Sequence, residues 1–327
     1  MNVIVRKWLL ILIVCISVPS SIVAQPVPNL VENIPHLVIF GKNADGHWGD
    51  FYHVQVFFFQ IPKEYKKPFY IRVFDPDCGG AIDEINGAWD TQTTFSVYGG
   101  KGCYTDPDVQ QAEPKGNYKS GNLLASKTFG EDPKYDQKWY TFGPFNPTAG
   151  EYVEQFGGCY ILKVVSETIS GDDGNLYNYY LSTDPDNNKP IEGGNAFTFC
   201  YTFRLWDDPN QVSHIYPYVD DRTIKVTQRN WDWDGDGYIR IVSVVRAGDY
   251  AKASGDSEWA ESSLSIIDGE KNHSLDIQMI KKKTEPLVKH NNVVMYVLNQ
   301  RNEALKFYAN PIGGVPVYKP KIKSDAE

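Results

Sequence analysis

From His36 onward the chain reads as short apolar runs separated by turn residues. The runs are HLVIF (36–40), HVQVFFFQI (53–61), FYIRVF (69–74), TTFSVYG (93–99), KWYTFGPF (138–145), CYILKVVSET (159–168), LYNYYLS (176–182) and AFTFCYTFRLW (196–206). Several alternate apolar and polar residues, as a strand must when one face is buried and the other is wet. No helical period comes between them, and strand after strand of this kind predicts an antiparallel sandwich or jelly roll. The polar break DDPNQ (207–211) predicts a domain boundary. A second series follows: TIKVTQ (223–228), YIRIVSVV (238–245), SLSIID (263–268), LDIQMIK (275–281) and VVMYVLNQ (293–300). The expected layout is therefore all-β, two antiparallel β-sandwich (jelly-roll-like) domains in series at 36–206 and 207–312. A Pro-punctuated leader at 25–35 precedes them and a tail at 313–327 follows.

Composition agrees. Aromatic residues make up 14%, with 21 Tyr, while Gly (27) and Pro (20) are plentiful and Met is scarce (3). Such chains form strands and tight turns rather than helices. The net charge is -9. An acidic chain without a basic run repels phosphate backbones, which argues against nucleic acid as a partner.

The first residues change the picture more. Arg6 and Lys7 precede an uninterrupted apolar run from Trp8 to Val18, then Pro19, Ser20 and Ser21 lead to Ile22-Val23-Ala24. This is the pattern of a secretory signal peptide (1–24) cleaved before Gln25, since the run is too short for a spanning helix of roughly 20 residues. Two other readings stay open: an uncleaved short anchor, and a lipid anchor through Cys15, although branched Val14 suits lipoprotein processing poorly. The expected address is the periplasm or the extracellular space, with no transmembrane segment after cleavage.

With Cys15 removed, Cys78, Cys103, Cys159 and Cys200 remain. An even number in an exported chain predicts two disulfides, Cys78–Cys103 and Cys159–Cys200 being the preferred pairing of three.

The sharpest chemical signal is Asp232-Trp233-Asp234-Gly235-Asp236-Gly237, followed by Tyr238. Alternate carboxylates turn inward when a loop curls, and the glycines allow the curl. Asp232, Asp234, Asp236 and the carbonyl of Tyr238 are the expected oxygen ligands of Ca²⁺. The run resembles half of an EF-hand loop, but its twelfth position is Ser243 and a strand follows, which predicts a calcium loop between strands. The plain alternative is an acidic hairpin turn. A second candidate calcium loop holds Asp75, Asp77, Asp83 and Asp90, whose mutual repulsion a cation would relieve. Asp172-Asp173-Gly174-Asn175 reads as a turn. Trp231 and Trp233, two apart, would share a face of an extended segment beside the metal and could hold a sugar; burial in the core is the competing reading.

The order FFFQIP (57–62), PFYIRVFDPD (68–77), TTFSVYGG (93–100), GGCYILKVVSE (157–167) and NLYNYYLS (175–182) resembles the bacterial pre-peptidase C-terminal (PPC) type domain. The likeness spans roughly 50–185. It implies a jelly-roll sandwich appended to secreted enzymes, with some members binding calcium at an acidic loop that falls here on Asp75, Asp77 and Asp83. The chain departs in its insertion at 101–137 and in having no protease domain attached.

Enzymatic signatures do not assemble. Six histidines are scattered without H-E-x-x-H, and there is no G-x-S-x-G elbow, P-loop or dinucleotide glycine pattern in context. The expectation is an exported, calcium-binding, non-catalytic interaction or structural module of a bacterial cell envelope, with envelope proteins or polysaccharide as partners. A glycan-binding module is the first alternative, and an unassigned secreted hydrolase using two distant carboxylates the second.

Overall fold

A computed structural model describes residues 26–154 and 157–320. The signal peptide and Cys15 lie outside the described residues. Among those described there is no α-helix, only strands and single 3-10 turns, and every strand pair is antiparallel. Among the described residues no helix is long and apolar enough to cross a membrane.

The largest sheet runs, neighbour to neighbour, through Trp259–Ser265, Lys225–Trp231, Asn292–Asn299, Tyr201–Arg204, Leu37–Phe40, Gly174–Ser182, Phe69–Phe74 and Trp139–Phe145. A second sheet runs through Phe307–Tyr308, Asn195–Thr198, Val54–Pro62, Cys159–Ser170, Gln92–Gly99 and Asn122–Phe129. The two face each other as a sandwich whose core is aromatic: Phe57 and Phe59 meet Tyr179 at 5.5 and 5.6 Å, and Phe95 meets Tyr177 at 5.2 Å between ring centroids. Alternation explains this placement. On the Val54–Pro62 strand, Phe57, Phe59 and Ile61 enter the sandwich, while Phe58 points to the outer face and packs on Tyr104 and Phe197. A third sheet of Val212–Ile215, Asp276–Lys281, Gly237–Val242 and Asp249–Ala251 adds Ile239, Ile241, Ile277 and Met279 to the same core as Val293, Met295 and Val297.

The boundary expected at 207 does not separate sheets. Tyr201–Arg204 pairs with Asn292–Asn299 on one side and with Leu37–Phe40 on the other, so strands from both halves share one ladder. The leader is also built in: Pro26 and Val27 pair with Tyr180 and Tyr179, and Val27, Glu32 and Ile34 are buried. The run 196–206 divides into two strands in different sheets. Thr198 Oγ1 donates to the carbonyl of Cys200 and accepts from the Cys200 N–H, which turns the chain between them. Both pieces are buried on both faces, so the apolar run gave no sign of the corner.

Neither predicted disulfide forms. The Cys78 N–H donates to Gly130, past one end of the Asn122–Phe129 strand, whereas Cys103 packs on Gly121, before its other end; they lie on the order of 25–30 Å apart. Cys159 pairs with Pro62, and Cys200 lies beyond Thr198, which pairs with Phe57. That is about 16 Å or more along the strand, against the 7 Å that a disulfide bridges.

Candidate functional site

Trp231 ends a strand and Gly237 begins the next, so the acidic run forms the connection between two sheets. Asp232, Asp234 and Gly235 take φ of 57, 58 and 55°, a left-handed region that Asp and Gly tolerate better than other residues. This curl breaks the extended backbone. The segment 254–257 then fastens the loop from outside: Ser254 Oγ accepts from the Trp233 N–H (2.9 Å), and the Ser257 N–H donates to Asp232 Oδ1 (2.6 Å).

The fastening brings in a residue that the local pattern does not contain. Asp232, Asp234 and Asp256 each place a carboxylate oxygen within 4.8 Å of the others. Oxygens bound at 2.3–2.6 Å to one Ca²⁺ are at most about 5 Å apart, so the spacing fits that ion. Burial pushes Asp232 up to about 7, the hydrogen bond from Ser257 opposing it and Asp234 adding to it. Burial also raises Asp234, reinforced by Asp256. The only sequence signal for Asp256 was a turn, Ser254-Gly255-Asp256-Ser257, two strands downstream.

Two expected ligands are elsewhere. Asp236 is fully buried and forms an ion pair with Lys281 Nζ at 2.9 Å, with Lys282 at 3.9 Å. Tyr238 is already in the following strand, paired with Ile280, and its ring is exposed against Tyr250. Left-handed Asp232 also rotates the tryptophans out of a common exposed face. Trp233 is completely buried, and Trp231 packs on Phe51 (4.9 Å) and Trp259 (5.4 Å) while its Nε1 donates to Gly46. Neither offers a surface for a sugar.

The cluster opens on a cavity of about 290 Å³ whose walls include Asp232, Asp234, Glu84, His290 and Asn291. Glu84 comes from the second candidate loop, next to Asp83, and is held by Arg204 (2.6 Å) and near His290 Nδ1 (3.3 Å). Asn291 is buried, and its Oδ1 has no hydrogen-bond partner. A neutral oxygen of this kind suits a cation site.

The second candidate loop, that of Asp75, Asp77, Asp83 and Asp90, separates into three arrangements. Asp75 and Asp77 are buried beside Asp136; Asp75 Oδ1 accepts from the Gln137 N–H (2.7 Å), but Asp75 Oδ2, Asp77 Oδ1 and Asp136 Oδ1 have no partner. Burial raises Asp75 to about 7 and Asp77 to about 6, each pushed further by its acidic neighbours. Gly80 takes φ 94°, which favours glycine, and a Cβ there would push the Asp136 carboxylate aside. Asp83 instead accepts from the N–H groups of Gly79 and Leu176, at 2.7 Å each, and acts as a backbone latch. Asp90 lies with Asp172 and Asp173. Asp173, far from being a bare turn residue, accepts from the N–H groups of Asn86, Asp90 and Thr91 and is saturated by them. The sequence brought Asp83 and Asp90 to Asp75 and Asp77; the fold brings Asp136.

No family model and no curated protein matches the chain.

Proposed function

We propose that the chain is an exported calcium-binding β-sandwich protein acting as a non-catalytic interaction or structural module of a bacterial cell envelope. The observation that carries this reading is the convergence of Asp232, Asp234 and Asp256 to within 4.8 Å of one another. Asp232 is buried, Asp234 half-buried and Asp256 exposed; three carboxylates at that spacing repel, and a divalent cation would relieve the part of the repulsion that solvent does not screen. The residues that would hold the cation are these three, with Asn291 as a neutral neighbour. Asp75, Asp77 and Asp136 form the second place where buried carboxylate oxygens await a positive charge.

The export half of the proposal rests on the signal-like pattern of residues 1–24, without help from disulfides. The PPC-like order of motifs over 50–185 supports a calcium-binding sandwich; the appended role of that family is not carried over to this chain. A binding role also suits the cavity: Asp232 and Asp234 line it, and a cation held there would attract oxygen-bearing or anionic groups. Envelope proteins or polysaccharide are the proposed partners.

Calcium bound to the folded state alone stabilises it by mass action, about 2.7 kcal/mol at a hundredfold excess over Kd. Thermal unfolding in calcium and in EDTA tests this. The melting temperature should fall with the chelator, and the difference should shrink in Asp232→Asn/Asp234→Asn. An unchanged melting temperature would remove the cation from the account.

A further inference from the structure

The loop from Glu84 to Thr91 is pinned at both ends to the turn at 172–174. At its start the Glu84 and Gly174 backbones exchange two hydrogen bonds, at 3.0 and 2.8 Å. At its end the N–H groups of Asp90 and Thr91 donate to Asp173 Oδ2, at 2.8 and 3.1 Å. Asn86 adds two ties between these anchors. Its N–H donates to Asp173 Oδ1 (2.8 Å) and its Nδ2 to Asp172 Oδ2 (3.0 Å).

The crest of the loop is open to water. Asn86, Gly87 and Ala88 are exposed. Gly87 takes φ 84°, and beyond its chain neighbours no heavy atom lies within 4 Å of where a Cβ would stand. Among the described residues no protein group accepts from the Gly87 N–H. Asn86 is also the one asparagine of the chain that precedes a glycine.

That pairing has its own chemistry. Once hydroxide removes its proton, the Gly87 backbone nitrogen can attack Asn86 Cγ. The N–Cγ bond forms, the Cγ–Nδ2 bond breaks, and the leaving nitrogen takes up a proton and departs as ammonia. A five-membered imide remains, which water opens at either carbonyl to give aspartate or isoaspartate. Glycine favours the attack because it has no β-carbon to crowd the nitrogen and adopts the backbone angles freely.

We infer that Asn86 deamidates spontaneously in the folded chain and that the products loosen the 84–91 loop. Either product replaces the amide donor facing Asp172 with a carboxylate. Asp90, Asp172 and Asp173 already place carboxylate oxygens within 4.8 Å of one another, so a further negative charge adds repulsion. Isoaspartate also lengthens the main chain by one carbon between fixed anchors, so the hydrogen bonds to Asp173 cannot all keep their geometry. The site shares no residue with the Asp232 cluster and does not rest on the calcium proposal.

Ageing the full chain at 37 °C and pH 8.5, folded and in urea, tests the inference by peptide mass analysis and isoaspartate detection. In the folded chain, amide-to-acid conversion should concentrate at Asn86 and outpace that at the exposed Asn43, Asn117 and Asn187. Its rate should rise from pH 6.5 to pH 8.5. Position 86 should stay unconverted in Asn86→Gln, whose longer side chain would have to close a six-membered ring. The aged chain and fresh Asn86→Asp should both melt below the fresh unaltered chain, while aged Asn86→Gln should melt as it did when fresh. An intact Asn86 in the folded chain, after conversion is complete in urea, would overturn the inference. So would a converted chain that melts like a fresh one.

Discussion

Single buried groups dominate the chemistry of this chain, and their protonation ties stability to pH. Glu32 is fully buried; the Asn29 N–H donates to its Oε2 (2.6 Å), but Oε1 has no partner. Burial raises its pKa from 4.5 to about 8. Between those values the folded chain holds a proton that the unfolded chain has released, so stability falls as pH rises across that window. Glu32→Gln keeps the shape without the titration, and its advantage over the unaltered chain should grow from pH 5 to pH 8.5 in denaturant melts. Asp236 is a different case. Asp236→Asn strands the buried Lys281 ammonium and should cost about 3–5 kcal/mol in chemical denaturation, and it should leave the calcium affinity proposed for Asp232 and Asp234 unchanged. Trp233→Ala should cost a similar amount, about 3–5 kcal/mol, because the indole is wholly enclosed.

At the scale of elements, alternation told most and connections told least. The strands at 37–40, 54–62, 69–74, 92–99 and 174–182 stand where period-two patterning put them, because one face of each enters the aromatic core. Asn122–Phe129 went unread inside the insertion, since it is a largely exposed edge strand with little apolar contrast. The acidic loops were legible as loops, and their partners were not. Asp256 reaches Asp232 through Ser254 and Ser257, and Asp136 reaches Asp75 through the turn before Trp139; such contacts leave no mark in local spacing. Saturated Asp173 shows the converse, an acidic residue whose work is to hold backbone. Asp173→Asn replaces one acceptor oxygen by a donor facing N–H groups, and should destabilise by about 1–3 kcal/mol in equilibrium unfolding.

For the whole molecule, the shared ladder matters more than the count of sandwiches. The Tyr201–Arg204 strand is hydrogen-bonded to strands from both sides of residue 207, and one continuous core extends into the third sheet. Thermal unfolding should therefore show one cooperative transition, and residues 26–206 produced alone should not fold, lacking the Asn292–Asn299 neighbour. Two resolved transitions would contradict this. The central proposal is that Asp232, Asp234 and Asp256 together bind calcium, and that Asp232, raised by burial to about 7, gives up its proton as the ion enters. Calorimetric titration of the metal-free chain with calcium at pH 6.5, in two buffers of different ionisation enthalpy, tests it most directly. The expected result is saturable binding with proton release, lost from this site in Asp232→Asn/Asp234→Asn. The absence of binding heat in both buffers, or binding and proton release identical in that variant, would contradict it.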